Sequence, residues 1–453
     1  MLFLLAGFYF RERIFADGAY YLVQLVNRGT FAIEHGRFIS MLSQVWPLLA
    51  VKLGLPLRAV LMAYSLGDVL YYYLVFLSVL YILKDKEGAL LIILLLTVGI
   101  MYTFYCPVTE LLQGLALLVL FDSLLKSTYR SSLPGKALLL VLMVTVLYSH
   151  PLSFIVFFFL VGFRLIRKDI GPGKNMVNLI LVAIMTVILK LKGLDDYDAS
   201  KIQYHTDPHT HAYKQLFSLT YMKEFLPFFL KEYWMVVCAA LFTLSWYIRE
   251  KQYSKALYTS LAAGGYVALM VCTHYAPYLS NYSERMYLPV VPIVFIPLVL
   301  DLLREAGPGL RRGILAVLFI FIFIRIGIIY TFGKVYEHRV SVLRQMMSSL
   351  PDVSRRFVWS QESADVSGIE AGWSVPCETL LLSSLEGKKN TKVFYISTDW
   401  NLYKQGKNKN KYIGKRDSIV NDTVVNPLYF SPLGDAVLFI DSLPSTHGNI
   451  GKR

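Results

Sequence analysis

Asp17 closes a short polar interruption, Arg11-Glu12-Arg13-Ile14-Phe15-Ala16-Asp17, which follows an apolar start and precedes an amphipathic run from Gly18 to Val26. A carboxylate in a partly desolvated cleft is suited to general-base work, because loss of water raises its pKa toward working pH. Asp is also a strong helix N-cap, so the same residue can simply start the run that follows it. Arg285 stands where a polar loop enters a long apolar stretch. There its planar fork can clamp phosphate oxygens, or it can pair with Glu284 and anchor the chain at an interface beside Tyr287. Arg325 lies within an apolar stretch, where an Arg costs roughly 2.5–3.5 kcal/mol on insertion scales and so faces a partner or a wet cavity, unless it snorkels outward. His35 and Arg37, close after Asp17, are candidates for contact with a phosphate or a sugar, with ordinary helix-surface polarity as the alternative. Asp68 and Asp122 also sit in apolar runs, and an ionisable residue there is a functional candidate by default. Asp122 lies near a segment end, which weakens its case.

The histidines of Tyr204-His205-Thr206-Asp207-Pro208-His209-Thr210-His211 follow Asp195, Asp196 and Asp198. His205, His209 and His211 with these carboxylates have the donor types for a divalent ion. The spacing matches no recognised ligand pattern, and Pro208 rules out a helical pair, so an acceptor-binding or structural loop is the favoured reading. Cys106, Cys238, Cys272 and Cys377 show neither the paired spacing of a disulfide framework nor that of a thiolate metal site. A phosphate-cradling glycine loop and a nucleophile elbow are both absent from the sequence.

What must position these residues is a set of membrane helices. The chain has 453 residues, of which 55% are hydrophobic and 17% charged. Soluble domains carry about 45–50% apolar and about 25% charged residues. The excess is uneven. Residues 1–333 hold nearly all the long apolar runs, whereas residues 334–453 have the composition of an ordinary polar domain. Crossing a bilayer takes about 20 apolar residues, and stretches near 59–83, 88–105, 107–125, 136–149, 151–166, 175–192, 233–249, 255–274, 286–303 and 313–333 approach that length. The apolar start, Met1 to Phe10, is half a span and predicts a first helix that begins upstream. The connections holding Lys84 and Lys86, then Lys126, Arg130 and Lys136, then Arg164, Arg167, Lys168 and Lys174 fall on one side, with Arg249, Lys251, Lys255, Arg304, Arg311 and Arg312 continuing the series. The positive-inside rule makes that side cytoplasmic. Residues 10–58, the turns at Cys106 and His150, the loop 193–232 and the C-terminal domain then lie outside, with every acidic or His-rich segment. The run from Phe38 to Leu55 must lie along the interface or re-enter, since a full crossing would invert all later loops.

The expected fold is therefore an all-α polytopic membrane bundle of about ten or eleven transmembrane helices over residues 1–333, with juxtamembrane helices in the first external loop. A small α+β external domain follows over residues 334–453, in which Val393 to Ser397 and Ala436 to Asp441 read as buried strands. The net charge of +14 is a loop-placement signal. Even the basic stretch from Lys404 to Arg416 suits anionic envelope polymer or lipid better than nucleic acid.

Several short patterns carry a resemblance. They are Asp17-Gly18-Ala19-Tyr20-Tyr21, Ser43-Gln44-Val45-Trp46-Pro47-Leu48-Leu49-Ala50 with Lys52-Leu53-Gly54, Pro107-Val108-Thr109-Glu110 and Glu284-Arg285-Met286-Tyr287-Leu288-Pro289. In these and in its layout the chain resembles the GT-C superfamily of membrane glycosyltransferases, such as protein O-mannosyltransferases and the aminoarabinose transferase of lipid A. The resemblance implies sugar transfer from a polyprenyl-phosphate donor, with inversion, to a glycan, lipid or protein acceptor at the outer face of a plasma or inner membrane. It gives Asp17 the place of the essential acid in the first external loop. Relatives often have a second acid beside it, where this chain has Gly18, and Glu110 matches a later acidic position that can supply that role. A transporter or flippase of lipid-linked intermediates, and a polysaccharide polymerase or noncatalytic scaffold, are the competing classes. No internal repeat of the transporter kind is visible.

Overall fold

The computed structural model describes residues 1–169, 174–196, 198–200, 203, 217–273, 281–352, 354–360, 372–397, 425–434 and 437–440. The described chain is mostly helical. A short α1 (Leu2–Phe8) leads to α2 (Asp17–Arg28), which stops at Gly29 in the left-handed conformation that glycine tolerates. Then come α3 (Met41–Lys52), α4 (Leu57–Leu77) with a π-helical turn to Ile82, α5 (Lys86–Thr97), α6 (Glu110–Lys126), α7 (Leu133–Ser149), α8 (Ser153–Ile166) and α9 (Lys174–Lys192). In α6 an acid opens the helix and a lysine closes it, the arrangement its dipole favours.

Among the described residues four helical stretches are long and apolar enough to cross a membrane: Leu57–Ile82, Tyr253–Thr273, Tyr282–Glu305 and Pro308–Ser349. A fifth arises if α10 (Leu219–Glu232) and α11 (Trp234–Arg249), bent by 85° at their junction, form one span. Others of the expected ten or eleven are short apolar helices, among them α7 and α8. The expected interfacial run is also a helix too short to cross. The 12-residue α3 rises only about 18 Å. Phe38, Leu42, Val45, Trp46, Leu49 and Leu53 form an exposed apolar stripe along it, as a helix lying in an interface requires.

The bundle continues with α12 (Tyr253–Thr273), α13 (Asn281–Tyr287), α14 (Val290–Pro297), a π-helical turn over Leu298–Leu302, α15 (Leu303–Glu305) and α16 (Pro308–Ser349). At 42 residues α16 is about 63 Å long, roughly twice a hydrocarbon core, so its second half must project beyond any bilayer. It runs unbroken through the expected boundary at 333/334. Gly333 lies against the Tyr9 ring so closely that a Cβ there would come within 2.1 Å of it. Among the described residues of the C-terminal unit a three-stranded sheet has the order β2-β1-β3, formed by β1 (Arg356–Ser360), β2 (Val393–Ser397) and β3 (Val437–Ile440). All pairings are parallel, with α17 (Val375–Leu385) between β1 and β2 in the chain. The described part of the unit therefore has a β-α-β order with parallel strands where an α+β domain was expected, and β1 had not been foreseen. Phe357, Leu380, Phe394 and Phe430 of this unit share one hydrophobic cluster with Leu22, Leu25 and Val26 of α2. Asn426 reinforces the contact by donating to the Val26 carbonyl at 2.8 Å.

The two ends of α6 define two polar regions. At one end lie residues 13–37, Glu110 and the C-terminal unit. At the other, Asp122 and Lys126 meet Asp85 and Arg164. This second end carries the basic connections, yet it is not bare of acid, because Asp122, Asp301 and Asp85 are buried among its cations.

Candidate active site

Asp17 and Glu110 are each the first residue of a helix, α2 and α6. Neither helix has a side-chain cap, and the cap positions belong to Ala16 and Thr109. The capping alternative for Asp17 therefore fails, since its carboxylate is used elsewhere. Asp17 Oδ2 accepts from Arg285 Nη1 at 2.8 Å, across 268 residues of sequence. Arg285 Nη2 lies 2.7 Å from Cys106 Sγ, and its Nε has no acceptor among the described residues. Glu110 Oε1 accepts from the Tyr21 hydroxyl at 2.8 Å, and Oε2 lies 3.9 Å from Arg37 Nη1. Tyr21 follows Asp17 by one helical turn, so α2 offers both side chains on one face. Burial, and then the Glu110 carboxylate, push the Tyr21 hydroxyl well above its ordinary value, so it remains a donor.

Arg37 is buried, and its Nη2 donates to Asp198 at 2.7 Å. Its Nε, like that of Arg285, has no acceptor among the described residues. Burial alone would make Arg37 easier to deprotonate, but the carboxylates of Glu110 and Asp198 outweigh it and keep the guanidinium charged. His35 meets Asp195 through Nδ1. Burial would raise the Asp195 carboxyl, yet the Asp198 amide and the His35 ring hold it below the ordinary range.

A third cation, Lys190, is buried and donates to the Tyr148 carbonyl at 2.9 Å, two residues before His150. His150 joins α7 to α8, and its Nδ1 accepts from the Leu152 amide at 3.1 Å, which puts the ring proton on Nε2. Burial, then the charges of Arg37, Lys190 and Arg285, hold its pKa well below 6.5. The His150 ring therefore stays neutral under the combined charge of these three cations. The sequence marks it only as a turn before Pro151.

Strained backbone is present here, as it also is at Lys84, Lys168 and Lys251 in the basic connections. Ala16, His35 and Val108 have φ of 51°, 56° and 66°, and each lies within two residues of Asp17, Arg37 or Glu110. Such conformations cost about 1–3 kcal/mol for a residue with a side chain, and persist only when the surroundings impose them. Asp68 is held at 2.7 Å by Arg13, one of the most deeply buried arginines. Arg13 thus supplies the partner for Asp68 that the sequence did not reveal. It also donates through Nε to the Phe104 carbonyl at 2.7 Å, in the segment leading to Glu110.

Three residues named from the sequence lie behind the site. Arg325 donates to the carbonyls of Val98 and Glu232 at 3.2 and 3.0 Å, pinning the segment before Met101. Glu284 works beside it, accepting from the amides of Met101 and Tyr102, and does not pair with Arg285. Tyr287 packs against Phe225, Phe229 and Tyr233 and is fully buried, a core position. His205, His209 and His211 lie outside the described residues. Among the described residues no three His, Cys, Asp or Glu side chains come together as a metal site. Tyr21 and Lys190 were missed. An ionisable residue near the end of the apolar run of α9 is a signal that would have found Lys190 by the rule already applied to Asp68. No family model, curated protein or solved structure matches the chain.

Proposed function

We propose that the chain is an inverting glycosyltransferase that moves a sugar from a polyprenyl-phosphate donor to an envelope acceptor at the outer membrane face. In this reading the bundle has ten or eleven crossings, and the Asp17 end and the C-terminal unit are extracytoplasmic. The observation that carries it is the convergence of two carboxylates with Arg285 and Arg37, each of which keeps an Nε proton without an acceptor among the described residues. The open helix ends of α2 and α6 add partial positive charge to the same region.

The reaction needs a base for the acceptor hydroxyl and a positive site for the departing phosphate. A phosphate oxygen that takes the Nε and one Nη edge of Arg285 competes with Asp17 for that guanidinium. The carboxylate so displaced accepts the acceptor's proton. The acceptor oxygen then bonds to the anomeric carbon, and the sugar–phosphate C–O electron pair passes to the phosphate. Arg37 and Lys190 stabilise the charge that collects there. Tyr21 keeps Glu110 directed into the site as the second acid.

Asp17→Asn tests the proposal. The substitution preserves shape and a contact to Arg285 but removes the base, so transfer from a polyprenyl-phosphate sugar should fall about 10²–10⁴-fold with insertion and thermal midpoint unchanged. Wild-type activity in that variant would end the assignment.

A further inference from the structure

The C-terminal unit has no part in the chemistry just described, yet one of its buried acids reaches the residue before Asp17. We propose that Glu378, held by Arg339 and Ser374, is a positioning residue that sets the direction of the Asp17 carboxylate; this rests on Asp17 being the base. Glu378 opens onto the first turn of α17 and is 2% exposed. Its Oε1 accepts from the Ala16 amide at 3.5 Å, from Ser374 Oγ at 2.6 Å and from Arg339 Nη2 at 2.9 Å, while Oε2 accepts from Arg339 Nε at 2.8 Å. Arg339 lies on the projecting half of α16, and its guanidinium stands 4.9 Å over the Phe15 ring. Tyr336, one turn earlier, meets the same ring edge-on at 5.2 Å. From the other side the Cys106 thiol donates to the Phe15 carbonyl at 3.4 Å.

Phe15 and Ala16 are therefore gripped from both sides immediately before Asp17. Ala16 needs such a grip, because its φ of 51° is one that a residue with a Cβ rarely adopts unaided. A bidentate Arg–carboxylate pair fixes direction as well as distance. A buried pair of this kind is not required for stability as such, since apolar residues of similar volume commonly do as well. Its use here is geometric. Asp17 thus follows a strained residue held by a buried Arg–carboxylate brace, and the C-terminal unit supplies its carboxylate.

The test reads geometry and turnover separately, in the full chain in nanodiscs. In a Cys238→Ser, Cys272→Ser background, Asp17→Cys reports the exposure of that position to an impermeant thiol reagent once the labelling of the same background with Asp17 intact, where the buried Cys106 and Cys377 remain, is subtracted. Arg28→Cys, at the exposed end of the same helix, is the control. Adding Glu378→Gln, which puts an amide nitrogen against one of its donors, should raise labelling at position 17 about fivefold and leave position 28 unchanged. With Asp17 intact, Glu378→Gln should lower kcat about tenfold at unchanged affinity for undecaprenyl phosphate. Equal labelling with and without Glu378→Gln, or an equal rise at both positions, overturns the proposal. Should Glu378→Gln not fold, Ser374→Ala removes a single hydrogen bond, and an unchanged rate at position 17 is then the overturning result. A selective rise at position 17 in a protein that transfers no sugar would keep the brace and discard the glycosyltransferase reading.

Discussion

The two ends of α6 use the same kinds of charged residue in opposite ways. At its C-terminal end Arg164 grips both oxygens of Asp122, at 2.9 and 2.6 Å, and also reaches Asp169. Beside it Asp301, fully buried in its π-helical turn, meets Arg167 and Lys255 and accepts from the Tyr247 hydroxyl. These charges close on one another. At the N-terminal end Asp17 and Glu110 each make one close polar contact, and two guanidinium groups keep a proton without an acceptor among the described residues; positive φ does not separate the ends, since Lys84, Lys168 and Lys251 match Ala16, His35 and Val108. A network closed on itself serves packing. One with spare donors is prepared for something that arrives from outside.

The largest expected effect breaks the closed end. Asp122→Ala leaves Arg164 buried with only Asp169 as an anionic partner, and removal of one member of a buried pair costs about 3–5 kcal/mol. The thermal midpoint in detergent should drop steeply, while undecaprenyl phosphate binding by the folded fraction is retained. Lost binding at an unchanged midpoint would mean that this end is part of the site, and the contrast would fail. Glu110→Gln probes the open end and is expected to be milder for the fold. Tyr21 can still donate to the amide oxygen, so the midpoint should hold while transfer falls about 10²-fold. A variant that loses stability without losing turnover would make Glu110 a structural residue like Asp122.

Much of this contrast is visible in the sequence, in uneven measure. Membrane helices follow from composition because an apolar run has few other destinations, and the strand Val393–Ser397 follows from its β-branched and aromatic residues between polar turns. Helix lengths did not follow. Hydropathy measures apolar content and is blind to where a helix breaks, so the stretch expected near 88–105 contains α5 and then an irregular turn ending at Cys106. Asp17, Glu110, Arg37 and Arg285 were singled out by residue type and resemblance, yet their convergence spans 268 residues and is a product of packing. The least legible parts were the partners. Nothing local to Asp68 names Arg13, and nothing local to Ala16 names Glu378, because a buried carboxylate finds its cation through the whole fold.

The smallest effect concerns His150, where the open end is most sensitive to protons. Its ordinary pKa is 6.5, and in the folded chain burial and the charges of Arg37, Lys190 and Arg285 hold it well below that. Between 6.5 and the folded value the unfolded chain binds a proton that the folded chain refuses. Stability therefore falls as pH drops below 6.5 and gains nothing from this residue above it. Because His150 is only half-buried by surface area, the slope should be smaller than the about 1.4 kcal/mol per pH unit of one full proton. Protonation of Nδ1 would also cost the ring its bond from the Leu152 amide. His150→Asn keeps an acceptor at that position without a titrating group, so the difference in thermal midpoint between wild type and variant should widen from pH 6.5 to pH 5 and vanish above pH 7. A phosphate ligand among those three cations would relieve their repulsion of a protonated ring. Saturating undecaprenyl phosphate should then shrink the difference, whereas an unchanged difference would remove His150 from the site and leave it a boundary residue between two helices.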